Sequence, residues 1–395
     1  MTGKAGDKDI KNTGLRGVTV ASTRISHVDG EAGKLIYRGY LITDLAKQAT
    51  YEEIVHLLLY EQLPDAETLD VFSRQMAAER DVGPVLISAL KACPADARPM
   101  DILQAAIPIL AGTDPDAETL AITNVRERGM ALVAKVPTIV AAWHRIRNNQ
   151  APVRPDPDLG HAANFLYMLT GEKPDDTMAA FMDCCLVLHA EHSFNASTFS
   201  ARQVASTRAH LYASVSAAVG SLSGELHGGA NARVIQMLLS IGSVEAIDDY
   251  INKVLDSGGK IMGLGHAVYK TGDPRAFILS DMSRELGEKA GDTRWYDMTI
   301  ALEKKGKAAF AERKGMDIYP NVDFYSASVY YYMGIPIDLF TPVFAISRVA
   351  GWIAHVLEEQ FGGADAKPAL YRPSAEYVGE YCGPAECAFV PMDKR

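Results

Sequence analysis

From Thr50 onward the apolar residues of this 395-residue chain recur with the 3.6-residue period of helices, and no train of alternating apolar strands interrupts them. A doubly wound sheet needs a βαβ rhythm, so its absence predicts a mainly α fold. Only Gly17 to Tyr40 reads otherwise. There Val18, Val20 and Ile25, a turn at Asp29-Gly-Glu-Ala-Gly33 and then Leu35-Ile36-Tyr37 predict a short N-terminal β-hairpin.

Helix starts are marked by Thr50-Tyr-Glu-Glu53, a capping box ahead of Ile54, Val55 and Leu57 to Leu59. Pro64-Asp65, Gly83-Pro84, Pro99-Met-Asp101, Asp114-Pro-Asp116 and Lys173-Pro-Asp-Asp176 resemble starts as well. The Ala213 to Gly224 stretch is mostly Ala, Ser and Gly, which lets a second helix approach closely. Gly258 to Gly272 is glycine-rich, and Asp273 to Lys314 is polar and helical, with basic residues at Lys304, Lys305, Lys307, Arg313 and Lys314 read as a solvated face of a mobile lobe. A last apolar helix runs from Thr341 to Gln360, followed by a Pro, Tyr and Gly tail suited to wrapping a neighbour. The length suggests two lobes.

A net charge of -10 argues against a nucleic-acid partner. Cys93, Cys184, Cys185, Cys382 and Cys387 lack CxxC spacing, which speaks against disulfide frameworks and zinc ribbons and for a reducing, cytoplasmic setting. No signal-peptide or membrane-spanning run is expected.

The residues that suggest chemistry are His192 in His189-Ala-Glu-His192, His227 in Gly224-Glu-Leu-His-Gly-Gly-Ala-Asn231, His266 in Gly263-Leu-Gly-His266 and Asp323 in Asn321-Val-Asp323. Glycine beside a polar side chain lets a ligand approach without a Cβ in the way. Arg275, Arg348 and Arg372 add guanidinium forks that match carboxylates, so a small di- or tri-acid is the implied ligand. An aspartate among them is a candidate base. His27, His56, His144, His161, His210 and His355 lack such framing and are read as structural. His189 and His192 have the i, i+3 spacing of a helical metal pair, yet no His-Glu-x-x-His or convergent cysteine supports zinc. Gly263-Leu-Gly265 lacks the third glycine and preceding strand of a dinucleotide turn.

In this order and together, these motifs resemble those of citrate synthases, and the likeness extends from Gly14-Leu-Arg-Gly17 and Tyr37-Arg-Gly-Tyr40 to Leu370-Tyr-Arg-Pro-Ser374. The resemblance implies an all-helical homodimer of two-domain subunits that condenses an acyl-CoA with oxaloacetate without metal or redox cofactor. It implies a large domain from residues 1–228 and 335–395, the latter with the tail, and a small mobile domain at 229–334. By resemblance, Asp323 would remove the α-proton of acetyl-CoA, His227 would hold the enolate oxygen and His266 would polarise the oxaloacetate carbonyl. His192, Arg275, Arg348 and, from the partner subunit, Arg372 would hold its carboxylates. Lys260, Gly263, Leu264, Gly265 and Lys314 would contact CoA. Two departures, Ser193 where relatives commonly have Glu or Gly and Glu225 where many have Pro, concern the shape of the acyl pocket. The chain also lacks the N-terminal extension of NADH-inhibited hexameric relatives, which points to a simple dimer.

Three rivals stand beside this reading. A 2-methylcitrate synthase would differ by one methylene on the acyl group. A non-catalytic tricarboxylate or CoA sensor would need the arginines but not Asp323. A metal-dependent lyase would lose activity to a chelator.

Overall fold

The computed structural model describes residues 14–15, 17–266, 268–364, 369–375, 379 and 391–394. Cys382, Cys387 and Arg16 of the first motif fall outside the described residues. A three-stranded antiparallel meander opens the chain: β1 (Ser26–Asp29), β2 (Lys34–Tyr37) and β3 (Tyr40–Leu41). Ser26 faces Tyr37 and Ile36 faces Leu41. The expected hairpin therefore gains a third short strand. Val18 and Val20 stay outside it, in irregular backbone, because apolar alternation without a partner strand does not make a ladder.

Ten helices follow: α1 (Ile42–Gln48), α2 (Tyr51–Tyr60), α3 (Ala66–Ala78), α4 (Gly83–Ala92), α5 (Pro99–Ala111), α6 (Ile122–Arg147), α7 (His161–Thr170), α8 (Asp176–His189), α9 (Ala196–Ala205) and α10 (Leu211–Leu222). Then come α11 (Ala230–Ile241), α12 (Ile247–Asp256), α13 (Pro274–Ala290), α14 (Arg294–Lys314), α15 (Val322–Tyr332) and α16 (Phe340–Phe361). Local chemistry explains most starts. Thr50 and Glu53 form both bonds of the capping box, while Asp65 and Asp175 accept from Thr68 and Met178 amides. Proline occupies the first turns of α4 and α5. Asp114-Pro-Asp116 is the exception. Its Asp114 carboxylate accepts its own turn's Asp116 amide, Arg128 Nε and the Tyr212 hydroxyl, so it ties a turn together and α6 begins only at Ile122.

The core gathers around α16, which packs against α2, α6, α8, α9 and α10. Ile346, Val349, Ile353 and Val356 on it are fully buried, each worth about 1.5–3 kcal/mol relative to exposure. This helix is long and apolar enough to cross a membrane, but 78% of that apolar stretch is buried inside the fold, as befits a core helix. The small-residue helix α10 packs closely on α5 and α9, with Ser216 Oγ donating to Gln104 O at 3.1 Å. Helices α11 to α15 pack largely on one another: α13 and α11 on α15, and α12 on α14. The basic run of α14 supplies surface pairs, Lys305 to Asp248 and Arg313 to Asp256, each at 2.7 Å. Such exposed pairs contribute about 0–1 kcal/mol.

Candidate active site

The loops that follow α8, α10 and α12, the first turns of α13 and α15 and the middle of α16 carry the chemistry. Helix α8 ends at His189, and the link to α9 presents His192. Between α10 and α11 the chain presents His227, and between α12 and α13 it presents His266. Asp323 stands in the first turn of α15, where the N-cap Asn321 accepts its amide at 3.0 Å. Arg275 begins α13, and Arg348 projects from mid-α16. One cleft of about 970 Å³ is lined by His192, His227, His266, Arg275, Asp323 and Arg348. Six residues scattered over 157 positions of sequence thus converge on a single cavity.

Hydrogen bonds fix the protons on two of the imidazoles. His227 Nε2 accepts the Ser197 amide at 3.1 Å, and a backbone N–H can only donate, so the proton of neutral His227 is on Nδ1. Ser197 Oγ has two acceptors for its proton, this same nitrogen and Asn195 Oδ1, each at 2.8 Å, and accepts Trp352 Nε1–H at 3.1 Å. His266 is the reverse case. Its Nδ1 accepts the Val268 and Tyr269 amides at 2.9 and 3.1 Å, leaving the proton on Nε2. Among the described residues, each ring therefore keeps one N–H donor free for a ligand.

Burial, reinforced by Arg348, pulls His227 down to about 4, and burial with Arg275 pulls His266 to about 4. Burial likewise drives His192 well below the usual range. All three are neutral near pH 7. Asp323 moves the other way: burial raises it to about 6, against the lowering influence of Arg275. Its carboxylate is thus ionised at neutral pH and a stronger base than an ordinary aspartate.

The two arginines differ. Burial disfavours the charge of Arg275, but its bidentate pairing with Asp273, at 2.9 and 2.7 Å, outweighs that and keeps it charged. Arg348 donates Nε to His189 O at 2.6 Å and stacks over Phe344 at 4.6 Å, with no carboxylate in contact among the described residues. Burial lowers it to about 10, so it remains a cation. One neutralised and one free guanidinium beside neutral imidazole donors suit a small dianion.

Other expected residues are placed elsewhere. Arg372 is exposed on a tail segment and does not line this chain's cleft. Lys260 and Lys314 are exposed and outside the cleft wall, Lys314 resting over the Phe310 ring at 5.1 Å. Gly265 lines the cleft, but the Leu264 and Gly265 amides already donate to Ile261 O and Tyr319 O. A Cβ on Gly263 would meet Phe324 at 2.7 Å and Val234 at 2.8 Å, so this glycine serves close packing.

The metal pair fails for a local reason: α8 stops at His189, so His192 is not one helical turn further along. His189 is buried with Nδ1 on Cys185 O. Sequence reasoning missed Ser197, Trp352, Tyr269 (hydroxyl 3.2 Å from His192 Nε2) and Phe344. Of these only Ser197 carried a signal, in Asn195-Ala-Ser-Thr198, where Asn195 caps α9. His27 lines the cleft, and His355, read as structural, proves part of a buried polar network behind it.

A family model described as citrate synthase, C-terminal domain, matches residues 14–374. The citrate synthase of Haloferax volcanii is 46% identical over 387 residues, covering 97% of this chain and 98% of that protein. A citrate/2-methylcitrate synthase of Bacillus subtilis is 38% identical over 374 residues, or 94% of this chain and 98% of its own. The solved ternary complex of carboxymethyl coenzyme A and oxaloacetate with citrate synthase from the thermophilic archaeon Thermoplasma acidophilum aligns with a TM-score of 0.87 at 31% identity, covering 96% of this chain and 99% of that one.

Proposed function

The chain belongs to the citrate synthase family, and from that premise we propose that its cleft condenses acetyl-CoA with oxaloacetate and hydrolyses the citryl-CoA so formed to citrate and CoA. One observation carries this reading. A carboxylate of raised pKa shares the cleft with two neutral imidazoles whose free N–H positions are fixed by backbone amides.

In the first step Asp323 takes a proton from the thioester methyl. A carboxylate is a feeble base toward C–H, so the enolate must be stabilised as it forms, and His227 Nδ1–H is the donor aimed at its oxygen. A neutral donor close in pKa to an enol suits this better than an imidazolium, which burial disfavours here. His266 Nε2–H polarises the oxaloacetate carbonyl, whose carbon the enolate attacks to form the new C–C bond. The oxygen that becomes alkoxide takes up, in net terms, the proton that Asp323 removed from the methyl, which returns Asp323 to its carboxylate form. His192, Arg275 and Arg348 hold the oxaloacetate carboxylates. Water then cleaves the thioester, and CoA leaves as a thiol.

Closure of α11 to α15, the 229–334 domain, over the remainder would exclude water during enolisation. The exposed position of Arg372 suits a homodimer in which it completes the partner's site. Lys260, Lys314 and the turn at Gly263 to Gly265, through Gly265 at the cleft wall rather than through its occupied amides, are assigned to CoA; the chemistry needs no metal or redox cofactor, and the setting is cytoplasmic.

The relative carrying both names favours 2-methylcitrate synthesis as a second reading. Comparing kcat/KM for acetyl-CoA and propionyl-CoA, with CoA release as the signal, decides between them. A ratio above about tenfold for acetyl-CoA supports citrate synthesis, since one methylene is worth about 1–3 kcal/mol. A preference for propionyl-CoA overturns it.

A further inference from the structure

Behind the cleft, and unused by the chemistry above, sits Glu191, whose carboxylate is fully buried. Its Oε1 accepts three donors from three separate parts of the chain: Ser26 Oγ of β1 at 2.8 Å, the Ser193 amide at 2.5 Å and His355 Nε2 of α16 at 2.9 Å. His355 Nδ1 accepts Arg202 Nη1, so Nε2 carries its proton and donates. Arg202 in turn pairs with Glu358 at 2.8 Å and Glu359 at 2.7 Å. Glu191 is held ionised: burial opposes its charge, but His355 and Arg348 outweigh that. Helix α16 yields to this carboxylate at Gly351, where a Cβ would lie 2.4 Å from Glu191 Oε2.

The residue that Glu191 grips is in an unfavourable conformation. Ser193 has φ +52, a left-handed value that glycine adopts freely and serine does not. Immediately before it is His192, which lines the cleft, and two residues after it is Asn195, which caps α9 and whose Nδ2 donates to the Ser193 carbonyl at 3.3 Å. A carboxylate fixed to β1 and α16 thus compensates for a strained serine and sets the direction in which the His192 segment leaves α8.

We propose that Glu191 is a positioning residue for oxaloacetate binding, which holds the His192 segment in place by keeping Ser193 left-handed. The proposal rests on the assignment of His192 to the oxaloacetate carboxylates. Steady-state kinetics and direct oxaloacetate titration test it on the intact enzyme. Glu191→Ala is expected to raise the oxaloacetate KM and Kd about tenfold or more, and Glu191→Gln, which keeps an acceptor oxygen, by no more than about threefold. Because glycine needs no restraint at positive φ, adding Ser193→Gly to Glu191→Ala is expected to bring both constants back to within about threefold of wild type.

A general structural role would lower Tm in the single variants while leaving the oxaloacetate constants of the folded enzyme unchanged, and that result overturns the proposal. So does an equal loss in the Ala and Gln variants, or a failure of glycine to rescue. Where Glu191→Ala does not fold, Ser26→Ala removes one donor to Glu191 and with it the second acceptor of the Ser193 amide, at 3.0 Å, and an unchanged oxaloacetate Kd there overturns the proposal as well. His192→Ala separates the two levels. If it too leaves oxaloacetate affinity unchanged, the site assignment fails; if it weakens binding while Glu191→Ala does not, only the role of Glu191 fails.

Discussion

The Ser197 amide donates to His227 Nε2 at 3.1 Å, and this one bond decides which face of the imidazole can act on substrate. It forces the proton onto Nδ1, while the Ser197 hydroxyl, bonded to Trp352, steadies the ring from behind. Truncating Ser197 to alanine keeps the amide but removes the steadying oxygen and leaves the indole N–H buried without a partner. The expected result is a kcat about tenfold lower with oxaloacetate KM within about twofold, together with a stability loss of about 1–3 kcal/mol. Steady-state kinetics and denaturant titration read both quantities, and an unchanged kcat would contradict the steadying role of the Ser197 hydroxyl.

Acid pH should switch the enzyme off through Asp323 rather than through the histidines. His227 and His266, at about 4, stay neutral well below neutrality, whereas Asp323 gains its proton near 6. The profile of kcat/KM for acetyl-CoA should therefore fall about tenfold per pH unit below a single pKa near 6, moved upward by the charge of bound oxaloacetate. A limb near 4 would shift the role of base away from this carboxylate.

The same raised pKa has a thermodynamic cost. Folded Asp323 binds its proton more tightly than the unfolded chain does, so its contribution to stability declines as pH rises from about 3.8 to about 6 and stays reduced above that. Asp323→Asn, inactive by design, is expected to exceed wild type in stability at pH 8 by up to about 3 kcal/mol and to lose that advantage at pH 3.5. Equal stability of the two proteins at pH 8 would mean that burial exerts no such pressure.

Arg372 supplies the test of a shared site. In a mixture of Asp323→Ala and Arg372→Ala subunits, an arginine acting across the interface gives each heterodimer one intact site and one doubly damaged site. Random exchange should restore about one quarter of wild-type activity. An arginine acting within its own subunit restores none.

Much of this was legible in the order of residues. The helical period from Thr50, the capping box and the small-residue run of α10 each followed from local chemistry that the packed structure leaves in place. His227, His266 and Asp323 stood out because turn and cap chemistry surrounds them, and a residue presented at an element's end keeps that local signature. What stayed hidden depends on distant contacts. His355 carries no local mark, and only the packing of α16 against the α8–α9 link makes it a partner of Glu191. Asp114 misled for the same reason, since its cap-like sequence is outcompeted by Arg128 and Tyr212 from other helices. Val18 and Val20 alternate like a strand but meet no partner strand among the described residues.

The most direct measurement is CoA release from acetyl-CoA plus oxaloacetate by wild type and by Asp323→Ala, with oxaloacetate affinity titrated in parallel. With Asp323 as the base, wild type releases CoA only when both substrates are present, and the variant loses about a thousandfold or more in kcat while its oxaloacetate Kd stays within about threefold. A variant that releases CoA at an undiminished rate, or one whose loss is entirely in oxaloacetate affinity, would contradict it.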